Sequence, residues 1–212
     1  MIINKLISKI KDTLSLSNRK RRINPVMRQK LTNTDFSIIS SNCNGGVVCS
    51  DLGVRFNSPF VNLFVYPDDF LKILSNLSFY MNCELVELIQ DEFDYPVGIL
   101  NDEIKIYFMH YNCFAEAKEK WDLRRQRINY DNLFVIMTDR DGCTEEHIKQ
   151  FDALPYTHKV IFTAKPYEEY SSVVQCEEYS NSDCVGILTL WRNLRGERLY
   201  DKYFDFVSWL NG

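Results

Sequence analysis

From residue 36 onward, short apolar runs rich in β-branched residues alternate with stretches in which apolar positions recur every three or four residues. A strand buries a run and a helix buries a stripe, so the alternation predicts an α/β layered fold. Strands are predicted at 36–41, 61–65, 83–89, 104–108, 133–137 and 159–163, and helices at 45–52, 68–80, 113–129, 144–153 and 202–210. Asp68 and Thr144 stand at helix starts, where a short side-chain oxygen satisfies an otherwise unpaired backbone N–H. Strands mostly precede helices, so a single three-layer α/β domain with a mostly parallel sheet is expected over 31–212. Val97–Leu100 and Ile104–Phe108 flank Asn101 and Asp102 and predict a small antiparallel edge. Residues 165–182 are polar and turn-rich and read as a mobile surface loop.

The first thirty residues carry a different pattern. Ile3, Leu6, Ile7, Ile10 and Leu14 recur at helical spacing with Lys5, Lys9 and Lys11 between them, followed by Arg19-Lys20-Arg21-Arg22. The pattern predicts a basic amphipathic N-terminal helix and tail over 1–30. Nine Lys or Arg stand there against the single acid Asp12, a balance of +8; the chain total is −4, so the remainder is −12. Two readings stay open: contact with an anionic membrane surface, or packing on the acidic body or a partner chain. The acidic remainder offers no second basic surface, which argues against nucleic acid.

A chain of 212 residues, 45% of them hydrophobic, is long enough for one sizeable core. Its seven cysteines, at 43, 49, 83, 113, 143, 176 and 184, include no Cys-x-x-Cys pair. With no signal-like apolar start and no run long enough to span a bilayer, a reducing cytoplasm is the expected setting.

In open α/β sheets ligands bind beyond the carboxyl ends of the strands. The residues there include Cys43, His110-Tyr111, and Asp139 and Asp141 around Arg140. Cys43, between a strand and the glycines Gly45 and Gly46, sits where a helix N-terminus stabilises a thiolate or an anion. A thiol, an imidazole and an orienting carboxylate are the minimum set for nucleophilic catalysis, which casts Cys43, His110 and Asp139 or Asp141 as candidates. The opposing reading makes Cys43 a small buried apolar residue and His110 a strand-end hydrogen-bonding group. His147 and His158 receive no role, and the three histidines are too dispersed to suggest a metal site. On the helix after His110, Arg124 or Arg125 shares a face with Trp121 and suits a phosphate or carboxylate; the alternative is a solvated face paired with Glu116, Glu119 and Asp122.

Taken together, residues 40–46, 52–63, 108–111 and 121–129 resemble an uncharacterised bacterial family described as exopolysaccharide or capsular polysaccharide biosynthesis proteins, domain of unknown function nineteen-nineteen. The resemblance covers residues 36–165 and the end 206–211, with Asn44 and Cys49 departing from the usual pattern. It implies a pathway setting more than a reaction. The expected function is a cytoplasmic, membrane-associated transferase moving an acyl or related group to or from a sugar. Cys43 is cast as nucleophile, His110 as base, and Gly45 and Gly46 as amide donors to an oxyanion or phosphate. Arg124 and Arg125 would hold an anionic donor, and Asn42, Ser58 and Asn62 the sugar, with Asn44, Tyr111 and Trp121 completing the surround. The rival is a non-catalytic nucleotide-sugar or glycan-binding scaffold. A third reading, a glycosyltransferase, would use Asp139 and Asp141 as a metal-binding pair. No cofactor is identified by the sequence.

Overall fold

The computed structural model describes residues 2–212, with side chains from Ile7 onward. The side chains of Ile3, Lys5 and Leu6, part of the expected N-terminal stripe, therefore lie outside the described residues. In chain order the elements are α1 (Ile2–Asn18), a π-helical turn (Arg19–Ile23), α2 (Asn24–Lys30), β1 (Ser37–Ser40), α3 (Asn44–Leu52), α4 (Pro67–Ser75), α5 (Leu77–Asn82), β2 (Leu85–Glu87), β3 (Val97–Leu100), β4 (Ile104–Tyr107), α6 (Phe114–Arg125), β5 (Leu133–Thr138), α7 (Glu145–Ala153), β6 (His158–Thr163), β7 (Val173–Gln175) and α8 (Phe206–Asn211). The architecture is mixed α/β, with a parallel sheet ordered β1-β5-β6-β7, a separate antiparallel sheet ordered β2-β3-β4, and an N-terminal helix. Two compact units make up the chain: residues 1–34, 47–55 and 186–212 form the first, and 35–46 and 56–185 the second.

The second unit holds both sheets. Ile39, Val135, Met137 and Ile161 of the parallel strands bury their side chains with Phe70, Ile73 and Leu74 of α4 and Trp121 of α6 in one core. The β3–β4 hairpin turns through Asn101 and Asp102, both left-handed (φ 52° and 55°), and the Glu103 N–H closes the turn on Leu100 O at 3.2 Å. Asn and Asp tolerate that conformation better than other non-glycine residues, so the sequence signal for the turn was physical.

Four expectations need correction. The run 61–65 is not a strand: Val61 turns back onto Pro59 O and Asn62 is left-handed (φ 63°), leaving one bridge between Phe64 and Tyr107. The helix expected at 68–80 breaks at Asn76, whose non-helical backbone (φ −149°, ψ 59°) separates α4 from α5 while Leu77, Tyr80 and Met81 continue the apolar stripe into the core. Asp68 lies inside α4 rather than at its cap, because Pro67 already supplies a helical φ at the first position. The loop expected at 165–182 contributes β7, whose Val173–Gln175 backbone pairs with Ile161–Thr163.

Thr144 does cap α7, and His147 completes the box by accepting from the Thr144 N–H at 2.9 Å through Nδ1. Its Nε2 lies 2.9 Å from Asp68 Oδ1, so a histidine left without a role ties α7 to α4.

The first unit is organised around a buried charge cluster. Pro25 lacks an N–H, which interrupts the α-helical ladder; the chain passes through the π-turn instead, with the Asn24 N–H reaching Arg19 O. Arg19, fully buried, donates from Nε to Asp51 Oδ2 at 2.7 Å, from Nη1 to Asp201 Oδ2 at 2.6 Å and to Gly196 O at 3.0 Å. Arg198 Nε (2.8 Å) and the Tyr200 hydroxyl (3.0 Å) converge on the same Asp51 oxygen. Gly196 is obligatory there: its φ is +94°, and a Cβ would stand 2.4 Å from Arg19 N.

Candidate functional site

Beyond the carboxyl ends of β1 and β5, both in the second unit, lies a shallow crevice lined by Ser41, Val65, Pro67, Met137, Thr138, Arg140 and Asp141. The parallel register sets Ser40 beside Ile136, so the loops leaving the two strands emerge side by side. Asn42 fixes this rim: its Nδ2 donates to Thr138 Oγ1 at 3.0 Å, and its Oδ1 accepts from the Asn44 N–H at 3.1 Å in an Asx turn that starts α3. Arg140 presents a half-buried guanidinium 3.9 Å from Asp141, and its charge also acts on the Asp139 carboxyl. Two hydroxyls and the Arg140 cation can hydrogen-bond an anion there, with the Asp141 carboxylate at the same edge.

Gly45 and Gly46 at the start of α3 allow close packing. A Cβ on Gly45 would lie 2.7 Å from Ile38 Cγ2, and one on Gly46 would lie 3.2 Å from Val61 Cγ1. The Gly45 N–H also donates to Ser40 Oγ at 3.3 Å. Their expected role as amide donors to a ligand thus competes with a packing role visible in the structure.

Cys43 is half-buried, its thiol directed at Leu63 O at 3.8 Å, and burial pushes its pKa up. His110 lies exposed on the turn after β4, and no hydrogen bond joins it to Cys43 among the described residues. The neighbouring Tyr111 instead points inward. Its hydroxyl donates to Val61 O at 3.2 Å and accepts from Arg124 Nη1 at 2.9 Å. Burial raises the Tyr111 pKa, the Arg124 charge opposes that rise, and the Cys43 thiolate would add to it. The cluster is therefore Cys43, Tyr111 and Arg124, with the Arg124 guanidinium stacked 5.2 Å over Phe56.

The remaining candidates disperse. Asp139 is buried with both carboxylate oxygens engaged: Oδ2 accepts from the Ala164 N–H at 2.6 Å and Oδ1 from Val185 N–H at 2.7 Å. Burial raises its pKa against those two bonds. Asp141 is an exposed left-handed turn residue (φ 59°). Arg125 caps α5, donating to Met81 O at 2.9 Å and Cys83 O at 2.7 Å. Trp121 is 1% exposed and packs edge-on against Phe60 and Phe108 in the core. Ser58 is buried and accepts from the Phe60 N–H at 3.2 Å, while Asn62 is exposed. Thr138 and Arg140 are the residues that sequence reading passed over. Their signal was position, immediately at and after the end of β5, which was credited only to the flanking aspartates.

The sequence profile of the family described as Domain of unknown function (DUF1919) matches residues 15–211. The chain belongs to the DUF1919 family. An uncharacterised protein of Haemophilus influenzae is 45% identical over 199 residues, which cover 93% of this chain and 95% of that protein. The DUF1919 match takes in the crevice, the Cys43–Tyr111–Arg124 cluster and the Arg19 network alike.

Proposed function

We propose that this protein is a binding protein of surface-polysaccharide assembly that holds the phosphoryl end of a sugar phosphate or nucleotide-sugar in the β1–β5 crevice. The observation that carries the reading is the convergence of Ser41, Thr138 and Arg140 on one small cleft at the carboxyl edge of a parallel sheet. The cleft is a shallow surface feature with no enclosed space, so in this reading the phosphoryl group rests on it and the rest of the ligand lies outside. Arg140 supplies charge and a bidentate fork, and the hydroxyls complete the oxygen contacts. The setting in this reading is the cytoplasmic face of the membrane. Titration calorimetry with glucose 1-phosphate and UDP-glucose tests it. Saturable binding that weakens by roughly tenfold or more in Arg140→Ala, the loss of one charged hydrogen-bonding group, supports the assignment; equal affinity in wild type and variant overturns it.

The Cys43–Tyr111–Arg124 cluster favours a second reading, group transfer through the Cys43 thiol. A guanidinium held 2.9 Å from the phenol beside that thiol offers a cation for an anionic donor. The raised thiol pKa works against it, since the thiolate is the nucleophile. Loss of transfer from an acyl thioester in Cys43→Ser, with sugar-phosphate binding retained, would favour this reading over the first. The glycosyltransferase reading has less support, because Asp139 spends both oxygens on backbone amides.

A further inference from the structure

We propose that the first unit docks on an anionic lipid bilayer through the α1 side chains Ile7, Ile10 and Leu14 and the exposed cations around them. The inference deepens the membrane-face setting of the preceding reading and makes no use of the crevice. Ile7, Ile10 and Leu14 follow one another at spacings of three and four, so they share one helix face, and they are 45%, 51% and 48% exposed. Large aliphatic side chains left in water along one stripe mark a contact surface.

The C-terminal end of α1 is already anchored. Ser15 Oγ donates to Asn193 O at 3.1 Å, Asn18 Nδ2 to Leu194 O at 2.8 Å, and Arg19 enters the buried ion cluster. The helix is thus tied to its unit at its C-terminal turn, while Ile7, Ile10 and Leu14 before that turn stay about half exposed. In the same unit Ile187, Leu190 and Leu194 are also about half exposed.

Charge selects the occupant. Lys9, Lys11, Lys20, Arg21 and Arg22 are all exposed. The first unit as a whole holds fourteen Lys and Arg against five Asp and Glu, a net of +9, which leaves −13 on the rest of a chain whose total is −4. An aliphatic stripe flanked by lysines and arginines matches the interface of a bilayer, with acyl chains below and anionic headgroups beside. A nucleic acid would neutralise the cations and leave the stripe in water. No helix among the described residues is long and apolar enough to cross a membrane, so the contact is peripheral. Neither a short stripe nor a handful of cations anchors firmly alone, and the two together make a reversible two-signal attachment.

Flotation of the full chain with vesicles tests the proposal, comparing phosphatidylcholine alone with phosphatidylcholine carrying about 30% phosphatidylglycerol, the anionic lipid supplying the surface potential. Binding is expected only with the anionic vesicles and is expected to weaken as salt rises. Lys20→Gln with Arg21→Gln should lower the partition coefficient about fivefold per charge removed. Ile10→Glu with Leu14→Glu should abolish partitioning; because both positions are exposed, an unchanged thermal melt confirms that the fold survives. Absence of binding, equal binding to neutral vesicles, or a dimer in sedimentation that the Ile10→Glu/Leu14→Glu pair dissolves would each overturn it, the last by giving the stripe to a second copy. Sugar-phosphate titration on the same variants is unaffected if only the membrane proposal fails.

Discussion

Arg124 donates to the Tyr111 phenol at 2.9 Å, and that phenol is buried close enough to Cys43 for the thiolate to raise its pKa. A shift of one residue along the chain end of β4 separates the two outcomes. His110 faces water while Tyr111 is buried in the core, because the Tyr111 ring packs edge-on against Phe108 at 5.6 Å. The alkylation rate of Cys43 should therefore be the same within about twofold in His110→Ala, since no hydrogen bond couples the two. Tyr111→Phe should cost about 1 kcal/mol in chemical denaturation, through a lost hydrogen bond to Val61 O and an idle Arg124. A His110→Ala variant that slows Cys43 tenfold would reinstate the imidazole as its base.

The thiols should separate by environment in a mass-resolved alkylation course at pH 8. Cys49 and Cys143 are both pushed up to about 12, Cys49 by burial and Cys143 by burial and the Asp139 charge. With so little thiolate present they should react roughly a hundredfold more slowly than an unperturbed cysteine, after allowing for the greater nucleophilicity of a more basic sulfur. Cys113 is exposed at the start of α6 and should lead the series. Rapid labelling of Cys143 at neutral pH would show that its surroundings are not those of the folded state.

Much of the fold was legible because burial leaves a period in the sequence. The runs at 36–41, 133–137 and 159–163 became β1, β5 and β6 with ends within a residue or two, since strands buried on both faces are continuous apolar runs. Thr144 was legible for a local reason, a cap whose whole geometry spans four residues. Val61–Val65 was not, because its apolar residues are buried by a loop that bends at Pro59 and Asn62, and composition does not distinguish a buried loop from a strand. The site was less visible still. Arg124 and Arg125 are adjacent on one helix, yet one meets Tyr111 and the other the carbonyls of Met81 and Cys83, partners 13 and some 40 positions away. Arg19 shows the same limit: it reads as one of four cations in a basic tail, and only the fold brings Asp51 and Asp201 to it.

That buried pair fixes a stability prediction. Burial alone would lower the Arg19 pKa, but Asp201, Tyr200 and Asp51 raise it above its ordinary value; burial alone would raise Asp51, but Arg198 and Arg19 bring it down. Both shifts favour the ionised pair, so removing one member strands a charge in the interior. Arg19→Met should cost about 3–5 kcal/mol in equilibrium unfolding. Asp51→Asn should cost at least as much, because it releases Arg198 and Arg19 together. A loss below about 1 kcal/mol in both, the size of an exposed pair, would show that water reaches the cluster.

The last helix supplies a test of sign with pH. Asp205 caps α8: Oδ1 accepts from the Val207 N–H at 3.0 Å and Ser208 N–H at 3.1 Å, and Oδ2 accepts from the Ser208 hydroxyl at 2.7 Å. The Ser208 bonds, more than any other cause, hold the carboxyl below the usual range for aspartate. A carboxylate depressed by folding releases its proton more readily in the native state. Its contribution is therefore complete above the unfolded value of about 3.9 and disappears as pH falls through the lower native one. Asp205→Ala should destabilise by about 1 kcal/mol at pH 7, the worth of an N-cap. The difference from wild type should shrink toward zero as denaturation is repeated at pH 5, 4, 3 and about 2, the span over which such a group titrates. A difference that stays constant down to the lowest pH would mean that the cap works through shape alone and that the Ser208 bonds do not depend on charge.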